Sequence, residues 1–376
     1  MSRKGENIYK RKDGRWEGRY IRCYDENSRA KYGYVYAATY SEVKQRLHKK
    51  QALVYSGYAD QPISLVLYGD ILTQWLQSVK LNTKESTYSR YYHLIENHIR
   101  AELGGYQLTR ISTQLIERHI EQQLNNGNLR NGGALSPKTV SDILTIIKST
   151  MEYARYNNIN ITCNLGKLTV KKKDHEMRVL SKSEQGALVK TLTEDIDHYK
   201  FGVLLSLYTG IRIGELCALR WENISFENST LKVRETMQRV QATTADAQTK
   251  TKIIITEPKS QCSMRDIPLP ECIVDIAKKF SGSSKAFILT GDRNKYIEPR
   301  TMQNRFKTYI KDSGIADANF HSLRHTFATR CVELGFEIKS LSEILGHANV
   351  NITLNRYVHS SFDLKHINMN KLSLPA

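Results

Sequence analysis

Apolar residues recur at helical spacing across residues 63–164. Tyr68, Ile71, Leu72, Trp75, Leu76 and Val79 mark one amphipathic helix. A second is expected over 83–100, capped by Thr83 or Ser86 and rich in Tyr88, Arg90, Tyr91 and His93, and a third over 112–124. Residues 127–133 read as a flexible turn. Ser136-Pro137-Lys138-Thr139 then opens a fourth helix with Pro at its first position, running to Tyr156 through Val140, Ile143, Ile147, Met151 and Ala154. Ahead of this region the pattern has period two: over residues 14–24, Trp16, Gly18, Tyr20 and Arg22 fall on one face and Arg15, Arg19 and Cys23 on the other. A second extended run over 32–38 follows a polar turn at 25–28, and a basic helix begins near Ser41, marked by Val43, Leu47, Leu53 and Val54. Residues 55–61 read as a linker ending at Pro62.

Beyond a charge run at 167–173, helical and extended patterns alternate. Leu180-Ser181-Lys182-Ser183-Glu184 is a helix start, residues 201–208 are an apolar helix, and Thr209-Gly210 breaks it. Residues 224–233 and 252–256 read as strands joined by a polar insertion at 238–251, and 265–269 as a further strand. Residues 287–290 and a helix over 299–313 lead on to His321. Leu323, Phe327, Ala328, Val332 and Leu334 then repeat at helical spacing, as do Leu341, Ile344 and Leu345, with Gly346 as the stop. Ile352 and Leu354 lead into Tyr357. The 362–374 tail, with Leu364, Ile367, Met369 and Leu372, suits docking on a neighbouring subunit or packing on its own domain.

A chain of 376 residues has room for two or three domains with cores of their own. Its net charge of +18 implies an anionic partner, nucleic acid or anionic membrane. No stretch approaches the roughly 20 apolar residues of a membrane span, and no secretory leader is expected. The six cysteines form no C-x-x-C pair, which argues against both a disulfide framework and a zinc site. Nucleic acid is therefore the expected partner and the cytoplasm the expected compartment. The tyrosine-dense first 60 residues, in which basic residues outnumber acidic ones about two to one, read as a small sheet plus helix. Its basic face is either solvated or a groove reader, with Arg15, Arg19 and Arg22 as candidate contacts.

The chemistry gathers late in the chain. His321 and Arg324, three apart, leave a helix from one face; His347 follows a glycine turn, and Tyr357 stands downstream. Taken singly, each histidine reads as a surface or hydrogen-bonded core residue, and one tyrosine among 21 carries no weight. An earlier segment, YTGIRIGELCALRW at 208–221, changes that, because Glu215 sits three residues after Arg212 and is placed to orient its guanidinium.

With that segment the chain resembles the tyrosine recombinases, the integrases of phages and conjugative transposons. Their pattern is an Arg at a TGxRxxEL helix start, a Lys in a β-hairpin, H-x-x-R, a His or Trp after an LGH-like glycine, and a Tyr nucleophile. Arg212 with Glu215, Lys259 within EPKSQCSMRDIPL, His321-Ser-Leu-Arg324, Gly346-His347 and Tyr357 stand in that order. The resemblance implies a multidomain, mainly α protein. Residues 1–60 would be a small α+β arm-type DNA-binding domain, 63–168 a helical core-binding domain, and 174–376 a mixed α/β catalytic domain. LNTKESTYSRYYHLIENHI and SPKTVSDILTIIKSTMEYA resemble core-binding segments. Lys84, Ser86, Thr87, Arg90, Lys138 and Thr139 would then face phosphates near helix starts, where unpaired N–H groups suit anions.

The same resemblance assigns roles. Tyr357 attacks a DNA phosphodiester to form a 3′-phosphotyrosyl bond. Arg212 and Arg324, permanently charged planar forks, grip its non-bridging oxygens. His321 and His347 donate to those oxygens, His321 also accepts the phenol proton, and Lys259 protonates the departing 5′ oxygen. No metal, cofactor or ATP is implied. Double-stranded DNA with core and arm sites, a homotetramer on DNA and an accessory directionality factor are the implied partners. A DNA-relaxing enzyme of the type IB kind, or a DNA-binding protein without recombination activity, are the competing readings.

Overall fold

The computed structural model of the chain describes residues 7–24, 30–53, 66–159, 161, 163–171, 177–243, 249–258, 260–358 and 369, with backbone only at 22–24, 52–53 and 261. They fall into two compact units, Met1–Ser78 with Leu94–Val170, and Val79–His93 with Lys171–Ala376. Among the described residues no helix is long and apolar enough to cross a membrane.

In the first unit, β1 (Ile8–Lys10), β2 (Trp16–Tyr24) and β3 (Ala30–Ala37) form an antiparallel sheet in that order, and α1 (Tyr40–Leu53) covers one face. The period-two reading holds: Tyr20 joins Ile8, Ala37, Val43 and Leu47 in a small core, with Trp16 packed against it. Gly18 is required there, since a Cβ would lie 3.0 Å from Val43 Cγ1 and 3.1 Å from Val35 Cγ2. The other face leaves Tyr9, Tyr32, Tyr34 and Tyr36 exposed. The alternation slips between Ile21 and Cys23, where the β2–β3 register shifts. A bulge of this kind breaks strict alternation, so the face expected for Arg22 does not follow from its spacing. The expected turn at 25–28 and linker at 55–62 lie outside the described residues.

The helical part of this unit opens with α2 (Tyr68–Lys80). The second helix starts at Glu85, later than Thr83, as α3 (Glu85–Leu94), which with residues 79–93 belongs to the second unit; the chain returns to the first in a π-helical stretch Ile95–Arg100 followed by α4 (Ala101–Leu103). Ser112 caps α5 (Thr113–Asn126) by accepting from Leu115 N, and Ser136 caps α6 (Pro137–Tyr156) by accepting from Thr139 N. Apolar Ile71, Leu72, Ile99, Ile116, Ile143 and Ile147 are fully buried, and the Tyr68 hydroxyl reaches Thr150 Oγ1 at 2.7 Å.

The second unit begins with α7 (Lys182–Thr193), whose Ser181–Glu184 capping box is the helix start read from the sequence. There follow α8 (His198–Thr209), α9 (Ile213–Ala218), β4 (Ile224–Ser225), β5 (Thr230–Val233), β6 (Thr236–Gln241), β7 (Thr251–Thr256) and β8 (Arg265–Pro268). After them come α10 (Glu271–Phe280), α11 (Pro299–Asp312), α12 (His321–Glu333), α13 (Ile338–Leu345) and α14 (Val350–Tyr357). β4, β5 and β8 make one antiparallel sheet and β6–β7 a separate hairpin. The polar stretch from Gln238 is thus not all insertion: Gln238–Gln241 pair with Ile254–Thr251 in the ladder. Residues 287–290 form no strand; only a bridge between Arg220 and Phe287 is present there.

One core joins Leu188, Phe201, Leu204, Leu216, Trp221, Leu231, Ile267, Ile273, Met302, Phe306 and Leu323. It fixes α8, α9 and α12 against each other. Gly210 ends α8 in the left-handed region with φ +65°, and a Cβ there would lie 2.6 Å from Phe327 Cδ1. Gly210→Ala should therefore cost about 1–3 kcal/mol from backbone strain alone, read as a lower midpoint in chemical denaturation. An unchanged midpoint would mean that this turn tolerates a side chain.

Candidate active site

The motif 209–216 folds into a corner. Gly210 turns the chain, Ile211 is buried, and Arg212 is the extended residue ahead of α9. Glu215, at the third position of that helix, reaches back to accept from Arg212 N at 3.0 Å, and its other oxygen accepts from Arg212 Nη1 at 2.7 Å. Gly214 lets α9 sit against β6, since a Cβ there would lie 2.7 Å from the Met237 carbonyl.

Glu215 holds a second cation that sequence reading passed over. Arg265, the first residue of β8, pairs with Glu215 Oε2 at 3.0 Å, both side chains being almost fully buried. Burial works to raise the Glu215 pKa, but the Arg265 charge and hydrogen bond, with Arg212 behind them, win and hold it below the usual value. A carboxylate ionised this deeply has a clear role: it compensates two guanidiniums.

The remaining compensation comes from the end of α13. Arg265 Nε donates to the Ile344 carbonyl at 2.5 Å, Arg324 Nη2 to Leu345 at 2.7 Å, and Arg212 Nη2 to Gly346 at 3.4 Å. The last carbonyls of a helix lack partners within it and carry the negative end of its dipole. Three arginines take three successive ones. Gly346, at φ +66°, makes this approach possible, because a Cβ would stand 3.0 Å from Arg265 Cδ. Arg324, only 2% exposed, is completed by the Gly210 carbonyl at 2.8 Å. Burial first, then Arg212 and Arg265, lower its pKa to about 9, which leaves it cationic at neutral pH.

His347 follows Gly346, with its Nε2 2.9 Å from Arg324 Nη2 and its Nδ1 2.8 Å from Thr353 Oγ1. A guanidinium only donates. Nε2 therefore accepts, and the ring proton sits on Nδ1, directed to Thr353. In this arrangement Nε2 has no proton to offer a phosphate until the ring is protonated or changes tautomer. Burial, then Arg324 and Arg212, push His347 down to about 3.

Tyr357 ends α14 only 5% exposed, among Ala328, Cys331, Leu341 and Leu345. Its hydroxyl lies 2.9 Å from His325 Nδ1, and its ring stacks on His347 with centroids 6.4 Å apart. The imidazole on the phenol is therefore His325, where the resemblance had pointed to His321; His321 instead sets its ring against His325 at 4.6 Å. Burial raises the Tyr357 pKa against the pull of Arg324, Arg356 and Arg212. His325 is pushed down to about 4 by burial, then Arg356 and Arg324. His321 also falls to about 4, from desolvation and then His325 and the arginines, although the residue itself is exposed.

Arg212, Glu215, Arg324, His347 and Tyr357 thus come together, with His321 at the margin and Arg265 and His325 added. Lys259 lies outside the described residues. His325 was legible in principle as the residue after Arg324; Arg265 had only its place six residues beyond the candidate hairpin lysine, Lys259.

The candidate DNA contacts are more scattered. Arg15 is exposed and paired with Asp13 at 2.8 Å, and Arg19 lies over the Tyr32 ring at 4.0 Å. The Arg22 side chain lies outside the described residues. Lys138 pairs with Asp142 at 2.8 Å, and the Thr139 N–H and hydroxyl are engaged by Ser136, so neither is an unpaired group waiting for an anion. Arg90 is exposed, Thr87 N donates to the Lys84 carbonyl at 2.9 Å, and Ser86 Oγ is buried with no hydrogen-bond partner. The Lys84 ammonium donates to two main-chain carbonyls, those of Glu257 and Pro258.

Residues 178–363 match the model of the phage integrase family, and residues 67–124 that of the phage integrase N-terminal SAM-like domain. A "Tyrosine recombinase XerC-like" protein of Caldanaerobacter subterraneus subsp. tengcongensis is 27% identical over 322 residues, spanning 78% of this chain and 79% of its own. The transposase from transposon Tn916 of Enterococcus faecalis is 28% identical over 201 residues, 49% of this chain and 47% of its own. Among solved structures, the Tn1549 transposon integrase in complex with a circular intermediate DNA matches with a TM-score of 0.66 at 21% identity, covering 82% of this chain and 99% of that one. A lambda integrase tetramer bound to a Holliday junction matches at 0.55 and 18%, covering 91% and 96%. The chain belongs to the phage integrase family: it is a tyrosine recombinase, a DNA strand-cleaving and rejoining enzyme.

Glu215→Gln should destabilise the second unit by about 3–5 kcal/mol, because Arg265 is left buried without its counter-charge. Equilibrium unfolding measures this, and a loss below 1 kcal/mol would show that the α13 carbonyls suffice alone. Acid provides a second prediction. His325 and His347 have native pKa values below their ordinary 6.5, so the unfolded chain binds more protons between that value and about 4. Their contribution is present above pH 6.5 and is lost as pH falls through the native values. The melting temperature should drop over that window, less steeply in His347→Asn; identical slopes would contradict the burial of a neutral His347.

Proposed function

We propose that this recombinase is the integrase of a mobile DNA element, working through a covalent 3′-phosphotyrosyl intermediate with Tyr357 as nucleophile. The observation that carries the assignment is the clustering of Arg212, Arg265 and Arg324 around the phenol and imidazole pair at the end of α13 and α14. An attack on a phosphodiester concentrates negative charge on the non-bridging oxygens, and guanidiniums fixed beforehand stabilise it without reorganising.

In the first step the Tyr357 oxygen bonds to phosphorus and the bond to the 5′ oxygen breaks. The phenol proton leaves to a base, His321 or His325, and Lys259 gives a proton to the departing oxygen. The products are a 3′-phosphotyrosyl end and a free 5′ hydroxyl. The same hydroxyl on a partner strand reverses the step, so no external energy source is called for. In its present place Tyr357 is buried and protonated. Cleavage requires it to leave its contact with His325 as the scissile phosphate arrives.

Two rounds of exchange on two duplexes need a homotetramer, a reading supported by the lambda integrase tetramer on a Holliday junction. Within each subunit we read residues 1–60 as the arm-site module, 63–168 as the core-binding domain and 174–376 as the catalytic domain. Arg15, Arg19, Thr87 and Arg90 would touch DNA, together with Arg22; Lys138 and Thr139 would do so only by giving up Asp142 and Ser136, and Ser86 only by exposing its buried hydroxyl. The mobile-element assignment draws on the similarity to the Tn916 transposase and the ICEBs1 integrase of Bacillus subtilis. The enzyme would act in the cytoplasm, its direction set by an accessory factor.

Tyr357→Phe tests the nucleophile. The variant should bind core-site DNA normally and form no covalent adduct on a nicked substrate that traps the intermediate; adducts at undiminished yield would rule Tyr357 out. Deleting residues 1–60 tests the arm module. Core cleavage should survive while the footprint on a second, distinct site disappears, and identical footprints would refute an independent DNA reader.

A further inference from the structure

Side chains of one helix face hold the β6–β7 hairpin. Glu85, Ser89 and His93 recur every four residues and so form a single stripe on α3. Glu85 pairs with Lys252 of β7 at 2.5 Å, and Ser89 Oγ, buried, donates to the Gln241 carbonyl at 2.8 Å. His93 Nε2 stands 3.0 Å from the Ala242 carbonyl; since a carbonyl only accepts, this nitrogen carries the proton. Lys84, immediately before α3, donates to the carbonyls of Glu257 at 3.1 Å and Pro258 at 2.9 Å. The hairpin is therefore held at two places: near its far end, at 241–242 and 252, by the stripe, and where the chain leaves β7, at 257–258, by Lys84.

Four of these partners are main-chain carbonyls at two sites, so the contacts fix backbone position and not merely side-chain choice. The two carbonyls under Lys84 belong to the residues directly preceding Lys259 in the chain. An ammonium carries three N–H donors on a flexible stem, so it can bridge both carbonyls at once. Sequence reading had set Lys84 against a phosphate; its nitrogen is instead spent on protein oxygen.

We propose that Lys84 is a positioning residue for the leaving-group step: by fixing the 257–258 backbone it sets where the Lys259 side chain is delivered to the 5′ oxygen. The inference rests on the reading of Lys259 as the proton donor. It makes the α3 stripe the means by which this hairpin is held in register with the scissile bond. Proton delivery then depends on α3 as well as on the lysine itself.

The test compares single-turnover cleavage by the full chain, at saturating DNA, on an ordinary core site and on one whose 5′ bridging oxygen is sulfur. A thiolate departs without a proton donor, whereas an alkoxide does not. Lys84→Met keeps the stem and removes the donors. It should cleave the ordinary substrate about 10- to 100-fold more slowly, within the roughly 10²–10⁴-fold that a placed proton donor contributes. Most of that deficit should vanish with sulfur, DNA affinity should hold, and Lys84→Arg should recover part of the rate. Lys259→Ala serves as the reference. If sulfur rescues Lys259→Ala but Lys84→Met shows no deficit, or an equal deficit on both substrates, the positioning role is overturned. A loss confined to DNA affinity overturns it too and makes Lys84 a phosphate contact. If sulfur fails to rescue Lys259→Ala itself, the proton-donor reading falls first and the positioning role falls with it.

Discussion

Three arginines share the carboxyl end of one short helix, and the rest of the site depends on that arrangement. Arg265, Arg324 and Arg212 bond to the carbonyls of Ile344, Leu345 and Gly346 in turn. Like charges this close repel, and burial adds to the cost. Two features offset it: the unpaired carbonyls and dipole at the end of α13, and the buried carboxylate of Glu215, which serves Arg212 and Arg265 together. The sum remains cationic: among the described residues of this group the one buried carboxylate, Glu215, faces Arg212, Arg265 and, at longer range, Arg324. A site built this way attracts an anion and needs little rearrangement to receive it.

The same charge, together with burial, sets the protonation of the neighbouring groups. The imidazoles of His325 and His347 are held neutral by burial and by the arginines, and the phenol of Tyr357 is held protonated and covered. His347 accepts from Arg324 and donates to Thr353, so its hydrogen-bonding capacity is already filled. On the proposed mechanism, an arriving phosphate would compete for the Arg324 donors, favour protonated imidazole and stabilise an attacking phenolate. Chemistry would thereby be coupled to occupancy of the site.

Much of this was legible from spacing. The helix starts at Ser112, Ser136 and Ser181 fall where serine precedes an apolar period, and Gly210 and Gly346 stop α8 and α13 as glycines of left-handed backbone do. The Arg212–Glu215 pair followed from a three-residue separation on one helix. What escaped was set by distance along the chain. Arg265 finds Glu215 across 50 positions, and as the first residue of a strand it looked like any alternating polar residue. His325 points at a phenol 32 residues away, and only packing decides that it, and not His321, lies on that side of α12. The π-helical stretch at 95–100 and the β2 bulge at 21–23 leave no mark on hydrophobic period, since neither changes which residues are apolar. The contacts of Lys84 were out of reach for a related reason: they are with backbone carbonyls, which no side-chain pattern announces.

In the proposed mechanism the role of Arg212 is to neutralise charge on the phosphate that Tyr357 attacks. It can be measured by replacing one non-bridging oxygen of the scissile phosphate with a methyl group, which removes the charge and leaves the bridging bonds alone. Cleavage of the two substrates by the parent enzyme and by Arg212→Ala would be compared at saturating DNA. Arg212→Ala should show a large deficit on the charged substrate that mostly disappears on the neutral one. An equal deficit on both would contradict that role.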